Sequence, residues 1–258
     1  MQVHFQLLKS LAEGLIKLLG SYCCLCGRKN RLLSKLNSLC SDCEAYLPYA
    51  ETFCQQCGIN QTFPKDTVSE KNPTHINILC GKCLSTRSLY QRTITSFWYQ
   101  EPLQTLIQDY KFNQKLFLTP ILGKLMAKQI AHYYRQQDTA YPECLIPMPI
   151  HPKRLKERGY HHIHELTKVL SKSFSIPIDL KACRRVRHTA PQSSLPFEER
   201  KKNVRHVFSA IKIPYQHVAI IDDVITTGET IRELAKTLLK KNPTLQITVW
   251  CLARTTQS

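Results

Sequence analysis

The stretch from Val218 to Thr230 constrains the fold of this chain more than any other part of the sequence. It reads Val-Ala-Ile-Ile-Asp-Asp-Val-Ile-Thr-Thr-Gly-Glu-Thr, which is a short apolar run, an acidic pair and a small turn of threonine and glycine. The β-branched apolar run is typical of a strand buried on both faces, and apolar residues recur at helical spacing from Glu229 onward. The sequence therefore predicts a strand that enters a helix through the turn Thr226–Thr230.

The predicted turn suits a phosphate. Such a turn directs backbone N–H groups, hydroxyls and a helix N-terminus at one point. The carboxylates of Asp222 and Asp223 precede it and can accept hydrogen bonds from sugar hydroxyls, and a phosphate beside a diol is the chemistry of ribose 5-phosphate. An ordinary capped helix, with Thr226 or Thr227 as the cap, is the alternative. Adjacent carboxylates at the end of a hydrophobic strand disfavour it, because a ligand, metal or partner must offset their desolvation.

These thirteen residues resemble, position by position, the signature of the type I phosphoribosyltransferases, which bind 5-phosphoribosyl 1-pyrophosphate (PRPP). No Gly-x-x-x-x-Gly-Lys or Gly-x-Gly-x-x-Gly motif competes for the phosphate, which disfavours P-loop hydrolysis and dinucleotide redox chemistry. The resemblance implies that Asp222 and Asp223 hold the ribose hydroxyls and steady Mg²⁺ indirectly. It also implies a cradle for the 5-phosphate, consisting of Thr226, Thr227, Gly228, Glu229 and Thr230.

The chain is strongly basic, with a net charge of +17 from 36 Lys and Arg against 19 Asp and Glu. The excess is concentrated between positions 151 and 206, which indicates a polyanionic partner such as pyrophosphate or nucleic acid. The opening residues 1–22 carry leucines on one helical stripe interrupted by charges. They predict an amphipathic helix, and we expect no transmembrane or secretory segment.

Eight of the twelve cysteines form four Cys-x-x-Cys pairs. Such a pair presents two sulfurs to one tetrahedral zinc ion, and a second pair completes the coordination. Pairing in chain order predicts two structural zinc ribbons, while a cross-braced pairing of first with third and second with fourth stays open. A disulfide scaffold and thioredoxin-like redox motifs are both disfavoured. The pairs are Cys23/Cys26, Cys40/Cys43, Cys54/Cys57 and Cys80/Cys83.

From Arg92 onward the sequence alternates between strand and helix patterns. This alternation predicts an α/β domain with a mostly parallel sheet, whose ligands bind at the carboxyl ends of the strands. The predicted strands are Ile94–Tyr99, Cys144–Ile150, Leu180–Val186 in part, Val218–Ile221 and Gln246–Leu252. The predicted helices are Pro102–Tyr110, Leu118–Tyr134, Tyr160–Phe174 and Glu229–Lys240.

Two basic loops are predicted beside the acidic pair. The loop after Ile150 contains Lys153, Arg154 and Arg158, which suit a pyrophosphate that is held and stabilised as it leaves. The loop after Val186 is long and polar, as expected of a lid that closes over a charged substrate. Its candidate ligands for PRPP are Arg187 and Arg200.

Together with the four cysteine pairs and the acidic signature, two further motifs carry a narrower resemblance. They are Pro-x-Pro-x-x-x-x-Arg-x-x-x-Arg-Gly from Pro147 and Thr-x-Pro-Gln-x-x-Leu-x-x-x-x-Arg-x-x-Asn from Thr189. The chain resembles the ComF (ComFC/GntX-like) family over nearly its whole length after residue 22. One departure is that Tyr160-His161-His162 stands where the family usually has Phe-Asn-Gln. We interpret His161 and His164 as satisfied histidines on the helix surface and not as metal ligands.

The ComF resemblance implies a type I phosphoribosyltransferase fold preceded by a double zinc-ribbon module. The expected organisation is an amphipathic helix at 1–22, the zinc module at 23–90 and the phosphoribosyltransferase domain at 91–258. The implied activity is transfer of ribose 5-phosphate to an unidentified acceptor, with zinc and magnesium as cofactors, in the cytoplasm during competence and DNA uptake. The alternative is a non-catalytic adaptor that binds PRPP or single-stranded DNA. Another competence protein, such as a helicase of the ComF operon, is an expected partner.

Overall fold

A computed structural model describes residues 21–30, 39–61, 79–86, 88–187 and 206–256 of the chain. The chain divides into two compact units, Met1–Leu47 and Pro48–Ser258. Among the described residues, no helix combines the length and the apolar character that crossing a membrane requires. The module boundaries expected at residues 22 and 90 stay a prediction.

The smaller unit contains a short hairpin and one short helix. Strands β1 (Ser21–Tyr22) and β2 (Lys29–Asn30) pair antiparallel, and the turn between them carries the first Cys-x-x-Cys pair. Helix α1 (Ser41–Ala45) begins at its cap residue Cys40, whose Sγ accepts a hydrogen bond from the backbone N–H of Cys43 at 3.5 Å. Of the predicted N-terminal helix, positions 1–20 lie outside the described residues, and the last two positions form β1 instead.

The larger unit alternates strands and helices along most of its length, as the sequence predicts. A 3₁₀ turn at Leu116–Leu118 precedes the 19-residue helix Thr119–Gln137. In chain order the elements are α2 (Gly81–Ser85), β3 (Arg92–Trp98), α3 (Leu103–Phe112), α4 (Thr119–Gln137), β4 (Cys144–Pro147), α5 (Pro152–Arg158), α6 (His162–Phe174), β5 (Cys183–Arg185), β6 (Phe208–Ala210), β7 (His217–Ile225), α7 (Glu229–Lys241) and β8 (Gln246–Arg254).

Four strands form the central sheet in the order β3, β8, β7, β4, and every neighbouring pair is parallel. Strand β8 is buried at every position except Gln246, as a strand covered on both faces should be. The α/β architecture predicted from the sequence is confirmed. Because the strands are parallel, their carboxyl ends lie along one edge of the sheet, and the acidic pair of β7 lies at that edge.

Trp250 on β8 anchors the packing of helices on the sheet. Its ring is fully buried and makes edge contacts with Tyr134 of α4 at 5.8 Å and Phe174 of α6 at 5.5 Å between ring centroids. The indole N–H donates a hydrogen bond to the Tyr134 hydroxyl at 3.3 Å, so burial leaves no unpaired donor on this ring. Helices α4 and α6 are thereby packed against the sheet, and α6 carries the residues His162–Phe174.

The second pair of cysteine motifs is built directly onto strand β3. The Thr93 hydroxyl donates to the Gln56 carbonyl at 2.8 Å, and the Thr95 hydroxyl donates to the Gly58 carbonyl at 3.3 Å. Gly58 has a φ of 72°, and a Cβ at this position would lie 2.5 Å from Thr95 Oγ1. Glycine is therefore required here by backbone conformation and by the close approach of the strand.

One part of the predicted secondary structure is wrong. The basic stretch after Ile150 is the helix α5 and not a loop, because Pro152 occupies its first turn and the His151 ring accepts the Lys153 N–H at 3.2 Å as a cap. The partial strand predicted at Leu180–Val186 is the three-residue β5, and its antiparallel partner β6 was not predicted, because three residues are too few to establish a period. The predicted lid from Thr189 to Asn203 lies outside the described residues.

The contact between Gly58 and strand β3 leads to a stability prediction. We expect Gly58→Ala to lower the free energy of unfolding by about 2 to 4 kcal/mol, because it adds a steric clash to the strain of a positive φ. The matched control is Gly159→Ala, whose φ is 83° but whose Cβ would meet nothing within 4 Å. Denaturant unfolding followed by tryptophan fluorescence measures both. Equal losses for the two variants would contradict the close approach.

Candidate functional site

Two adjacent carboxylates lie near the carboxyl end of strand β7. Asp222 is 8% exposed and Asp223 is 2% exposed. Oδ1 of Asp222 accepts the N–H of Asp223 at 3.0 Å, and Oδ1 of Asp223 accepts the N–H of Val224 at 2.8 Å. Each acid is therefore held by a hydrogen bond to the residue that follows it, within a strand whose backbone is already fixed by its neighbours.

Asp223 is the centre of a buried ion pair. Its Oδ2 lies 2.8 Å from Nζ of Lys111, near the end of α3, and 3.1 Å from Nε2 of His162, the first residue of α6. Three elements that are distant in sequence meet at this oxygen. The sequence did not indicate Lys111, which is one lysine among many. The only sign of His162 was its place in the Tyr-His-His departure from the family pattern.

Arg158 continues this line of contacts away from Asp223. Its NH1 lies 2.5 Å from Nδ1 and 3.2 Å from Nε2 of His162. The carboxylate of Asp223 only accepts hydrogen bonds, so the proton of the neutral ring must be on Nε2, and Nδ1 is left to accept from the guanidinium group. The same guanidinium lies over the ring of Phe112 at 5.5 Å, and Phe112 is 65% exposed.

The other two histidines of this segment satisfy each other locally. His161 caps helix α6, and its Nδ1 accepts the N–H of His164 at 3.1 Å. Their ring centroids are 6.0 Å apart. Burial, followed by the neighbouring His162 and His164, lowers the pKa of His161 to about 4. This agrees with satisfied histidines, although His161 is less exposed than a surface residue.

The two carboxylates differ in their protonation. Burial, followed by the negative charge of Asp223, raises the pKa of Asp222 to about 8. Burial also opposes ionisation of Asp223, but Lys111 and His162 outweigh it and hold the pKa of Asp223 well below its usual range. Burial lowers the pKa of His162 despite the nearby carboxylate. At neutral pH the site thus contains an ionised Asp223, a protonated Asp222 and a neutral imidazole.

The turn after β7 leads directly into the N-terminus of α7. Gly228 has a φ of 79° and caps α7, and the Thr227 hydroxyl accepts the N–H of Glu229 at 3.4 Å. The first turn of a helix is a general binding site for anions, because its N–H groups lack carbonyl partners within the helix. The carbonyl of Thr226 accepts a hydrogen bond from Arg254, which is 3% exposed and was not indicated by the sequence. Thr230 lies in the first turn of the same helix.

The basic residues predicted to bind pyrophosphate are only partly brought together. Arg158 reaches the acid pair through His162. Burial lowers the pKa of Arg185, and Arg154 adds to this by repulsion while Asp222 opposes it, so these three groups interact electrostatically. Lys153 and Arg187 are exposed at the surface. Arg200 lies outside the described residues.

The cysteines form two four-sulfur clusters in chain order. Cys23, Cys26, Cys40 and Cys43 make one cluster, and within each cluster all Sγ atoms lie within 4.8 Å of one another. The Sγ atoms of Cys26 and Cys40 are 3.8 Å apart. Tetrahedral zinc with bonds of about 2.3 Å requires sulfurs separated by about 3.8 Å, so the geometry fits this metal. Pairing in chain order is therefore observed, and the cross-braced alternative is excluded.

The second cluster has the same geometry. It consists of Cys54, Cys57, Cys80 and Cys83, and the Sγ atoms of Cys57 and Cys80 are 3.7 Å apart. The N–H of Cys80 donates to the Sγ of Cys54 at 3.3 Å. The hydrogen bond from Cys57 lowers the pKa of Cys54 to about 4, so one sulfur is a thiolate at neutral pH and can accept a metal ion. In the ranges that the structure describes, these two clusters are the candidate metal sites.

No protein-family model matches the chain. Competence protein F of Haemophilus influenzae is 32% identical over 235 residues, covering 90% of this chain and 96% of that protein. DNA utilization protein YhgH of Escherichia coli K12 is 32% identical over 219 residues, covering 84% and 90%. Competence protein ComFC of Streptococcus pneumoniae is 22% identical over 238 residues, covering 84% and 92%. Similarity of this extent, on a chain with two four-cysteine clusters and a parallel sheet, shows that the protein belongs to the ComF family.

Proposed function

We propose that this protein binds PRPP and transfers its ribose 5-phosphate group to an acceptor, with release of pyrophosphate. The observation that carries the proposal is the buried acid pair on β7, followed within a few residues by the left-handed glycine turn and the N-terminus of α7. Anion-binding turns need backbone donors and ribose needs hydrogen-bond acceptors, and the same short segment supplies both.

Each part of the site has a role in this proposal. The turn Thr226–Thr230 cradles the 5-phosphate, and Asp222 and Asp223 hold the ribose hydroxyls. In the reaction the bond from ribose C1 to the pyrophosphate oxygen breaks, its electron pair leaves with pyrophosphate, and C1 bonds to the acceptor. Charge develops on the leaving oxygens, where preorganised cations are most effective. The residues that we propose for this role are Lys153, Arg154, Arg158, Arg187 and Arg200.

Magnesium fits this arrangement only as a partner of the substrate. In proteins Mg²⁺ is usually held by one or two carboxylates together with substrate phosphates. Around the acid pair, the described residues bring no third carboxylate, histidine or cysteine into a ligand set. Mg²⁺ bound to PRPP would neutralise the charge on the leaving pyrophosphate. Asp222 and Asp223 would then face the ribose and steady the metal indirectly.

The names of the relatives support a cellular role. Two are competence proteins and a third is a DNA utilization protein. We propose that this chain acts in the cytoplasm in competence, that is in natural transformation and DNA uptake. Another competence protein, such as a helicase of the ComF operon, is the proposed partner.

One observation favours a second candidate function. The Phe112 ring is exposed beside the cations Arg158 and Lys111, which lies 6.0 Å from the ring centroid. Exposed aromatics flanked by cations stack the bases of single-stranded nucleic acid. Among the residues that the structure describes, none stands out beside the acid pair as a general base for an acceptor. A non-catalytic adaptor that binds PRPP or single-stranded DNA is therefore the alternative.

We further propose that both four-cysteine clusters hold structural zinc. Wild-type protein should contain two zinc ions per chain, measured by elemental analysis of the purified protein. The variants Cys26→Ser and Cys57→Ser should each contain only one zinc ion per chain, because a structural site needs all four sulfurs. Cys24→Ser is the matched control, since this cysteine adjoins Cys23 but lies outside both clusters. Two zinc ions retained in Cys57→Ser would contradict the assignment.

Removing a hydroxyl from the turn tests PRPP binding. Thr227→Val should weaken Mg-PRPP binding about tenfold, because it removes a hydrogen-bonding group close to the proposed phosphate. Thr237→Val is the control, since its hydroxyl donates to the Glu233 carbonyl within α7, away from the turn. Isothermal titration measures both affinities. If wild-type protein shows no binding, the proposed pocket does not exist.

Turnover separates the two candidate functions. Wild-type protein should release pyrophosphate from Mg-PRPP in the presence of the correct acceptor, and Asp223→Ala should not. Binding of PRPP without release for any acceptor would favour the adaptor.

The proton on Asp222 makes binding dependent on pH. Its pKa of about 8 means that the free protein carries a proton on this acid at pH 6.5. Ribose hydroxyls and magnesium favour the carboxylate, so binding should release about one proton and the affinity should rise with pH until about pH 8. Titrations in buffers of different ionisation enthalpy count the proton. Asp222→Asn should bind without this release, and an unchanged proton release in that variant would assign it to another group.

A further inference from the structure

We propose that His162 is a positioning residue that couples the pyrophosphate side of the site to the ribose side. The inference rests on the proposed function and deepens it. The imidazole contacts both Arg158, which we propose meets the leaving pyrophosphate, and Asp223, which we propose meets the ribose. When Arg158 moves, the hydrogen bond from His162 to Asp223 changes in strength, because both contacts are made by the nitrogens of the same ring.

The hydrogen bonds give the line a direction. NH1 of Arg158 lies 2.5 Å from Nδ1 and 3.2 Å from Nε2, and Nε2 donates to Oδ2 of Asp223 at 3.1 Å, which leaves Nδ1 as the acceptor for Arg158. In the other neutral tautomer, with the proton on Nδ1, an N–H group would face the Arg158 donor and a lone pair would face the Asp223 acceptor. Only the Nε2–H tautomer is therefore compatible with both neighbours. Histidine is small enough for both contacts to be made at once in a site that excludes water.

The ring is also held in its plane. Tyr110 and Tyr160 contact it at angles of 70° and 83°, with centroids 6.2 Å and 6.5 Å away. The Tyr110 hydroxyl donates to the His162 carbonyl at 2.5 Å, and the Tyr160 hydroxyl donates to the Tyr110 carbonyl. A ring packed in this way cannot turn to follow one partner, so the loss of one contact changes the strength of the other.

Asp223 depends on this contact for its orientation. Its Oδ1 is fixed by the Val224 N–H, while Oδ2 is shared between His162 and Lys111. Lys111 belongs to a different helix and has a flexible side chain. His162 is therefore the directional, less mobile contact of the two. When pyrophosphate attracts Arg158, Nδ1 loses a cationic donor, and the Nε2 proton is held more firmly by the ring and donated less strongly to Asp223.

Two variants separate positioning from packing. His162→Leu removes both hydrogen bonds and keeps an apolar side chain of similar size, and His162→Gln keeps an acceptor oxygen and a donor nitrogen. Binding of ribose 5-phosphate should weaken about tenfold in His162→Leu and stay within about twofold of wild type in His162→Gln. His164→Leu is the control on the same helix, because His164 bonds to His161 and not to Asp223. Isothermal titration gives the three affinities.

The imidazole nitrogens supply a readout that simple packing would not change. Nitrogen correlation spectra of histidine-labelled protein, with His162 assigned by its loss in His162→Gln, should show the Nε2–H tautomer. Adding magnesium pyrophosphate should move the Nδ1 resonance as Arg158 leaves it. A shift of this resonance supports the coupling, and an unmoved resonance in protein that has bound pyrophosphate overturns it.

Failure of the proposed function can be distinguished from failure of the positioning role of His162. If wild-type protein binds neither ribose 5-phosphate nor pyrophosphate, the proposed function is overturned and this inference with it. If wild-type protein binds both, and His162→Leu binds ribose 5-phosphate equally tightly, the positioning role alone is overturned. A rescue by His162→Gln that accompanies a loss in His162→Leu supports the role.

Discussion

Two neighbouring carboxylates cannot both be ionised inside a protein without a compensating charge, and the architecture around β7 is organised by this constraint. In this protein one acid of the pair is ionised and the other is protonated. Lys111 and His162 stabilise the charge of Asp223, while Asp222 keeps a proton. Because the compensating groups come from α3 and α6, the electrostatic requirement ties two helices to the end of one strand. The charge state of the two acids therefore depends on the positions of α3 and α6.

This solution is not the most stable one available. Replacing a buried ion pair with apolar side chains of similar volume is often neutral or stabilising, whereas removing one partner alone is strongly destabilising. A chain selected for stability would have no need for an acid pair at this edge of the sheet. The cost of keeping it is consistent with a ligand that meets the acids, which is the role we propose for ribose.

Most of the strands and helices and the pairing of the cysteines could be predicted from the sequence, for physical reasons. Buried parallel strands are apolar throughout, and helices show their own period, so the alternation after Arg92 was visible. The pairing of cysteines in chain order was a prediction and is confirmed, because ligand spacing is a local property. Helix α5 was missed since its residues are charged on every side and its formation depends on Pro152 and the His151 cap. Lys111 and His162 could not be assigned because their function depends on a contact between distant elements.

Arg254 shows how far the surroundings of the turn extend beyond the signature. It ends β8, and it is buried with a hydrogen bond to the carbonyl of Thr226. The donor is its NH1 atom, and its buried Nε has no acceptor in the described part of the chain. A buried cation beneath the turn raises the local potential for anions, and its bond fixes the first residue of the turn before any ligand arrives. Cations thus lie on both sides of the acid pair, Arg254 beneath the turn and Arg158 beyond His162. A ligand with a phosphate at each end and hydroxyls between them matches this order of charges, whereas a simple anion would use only one end of it.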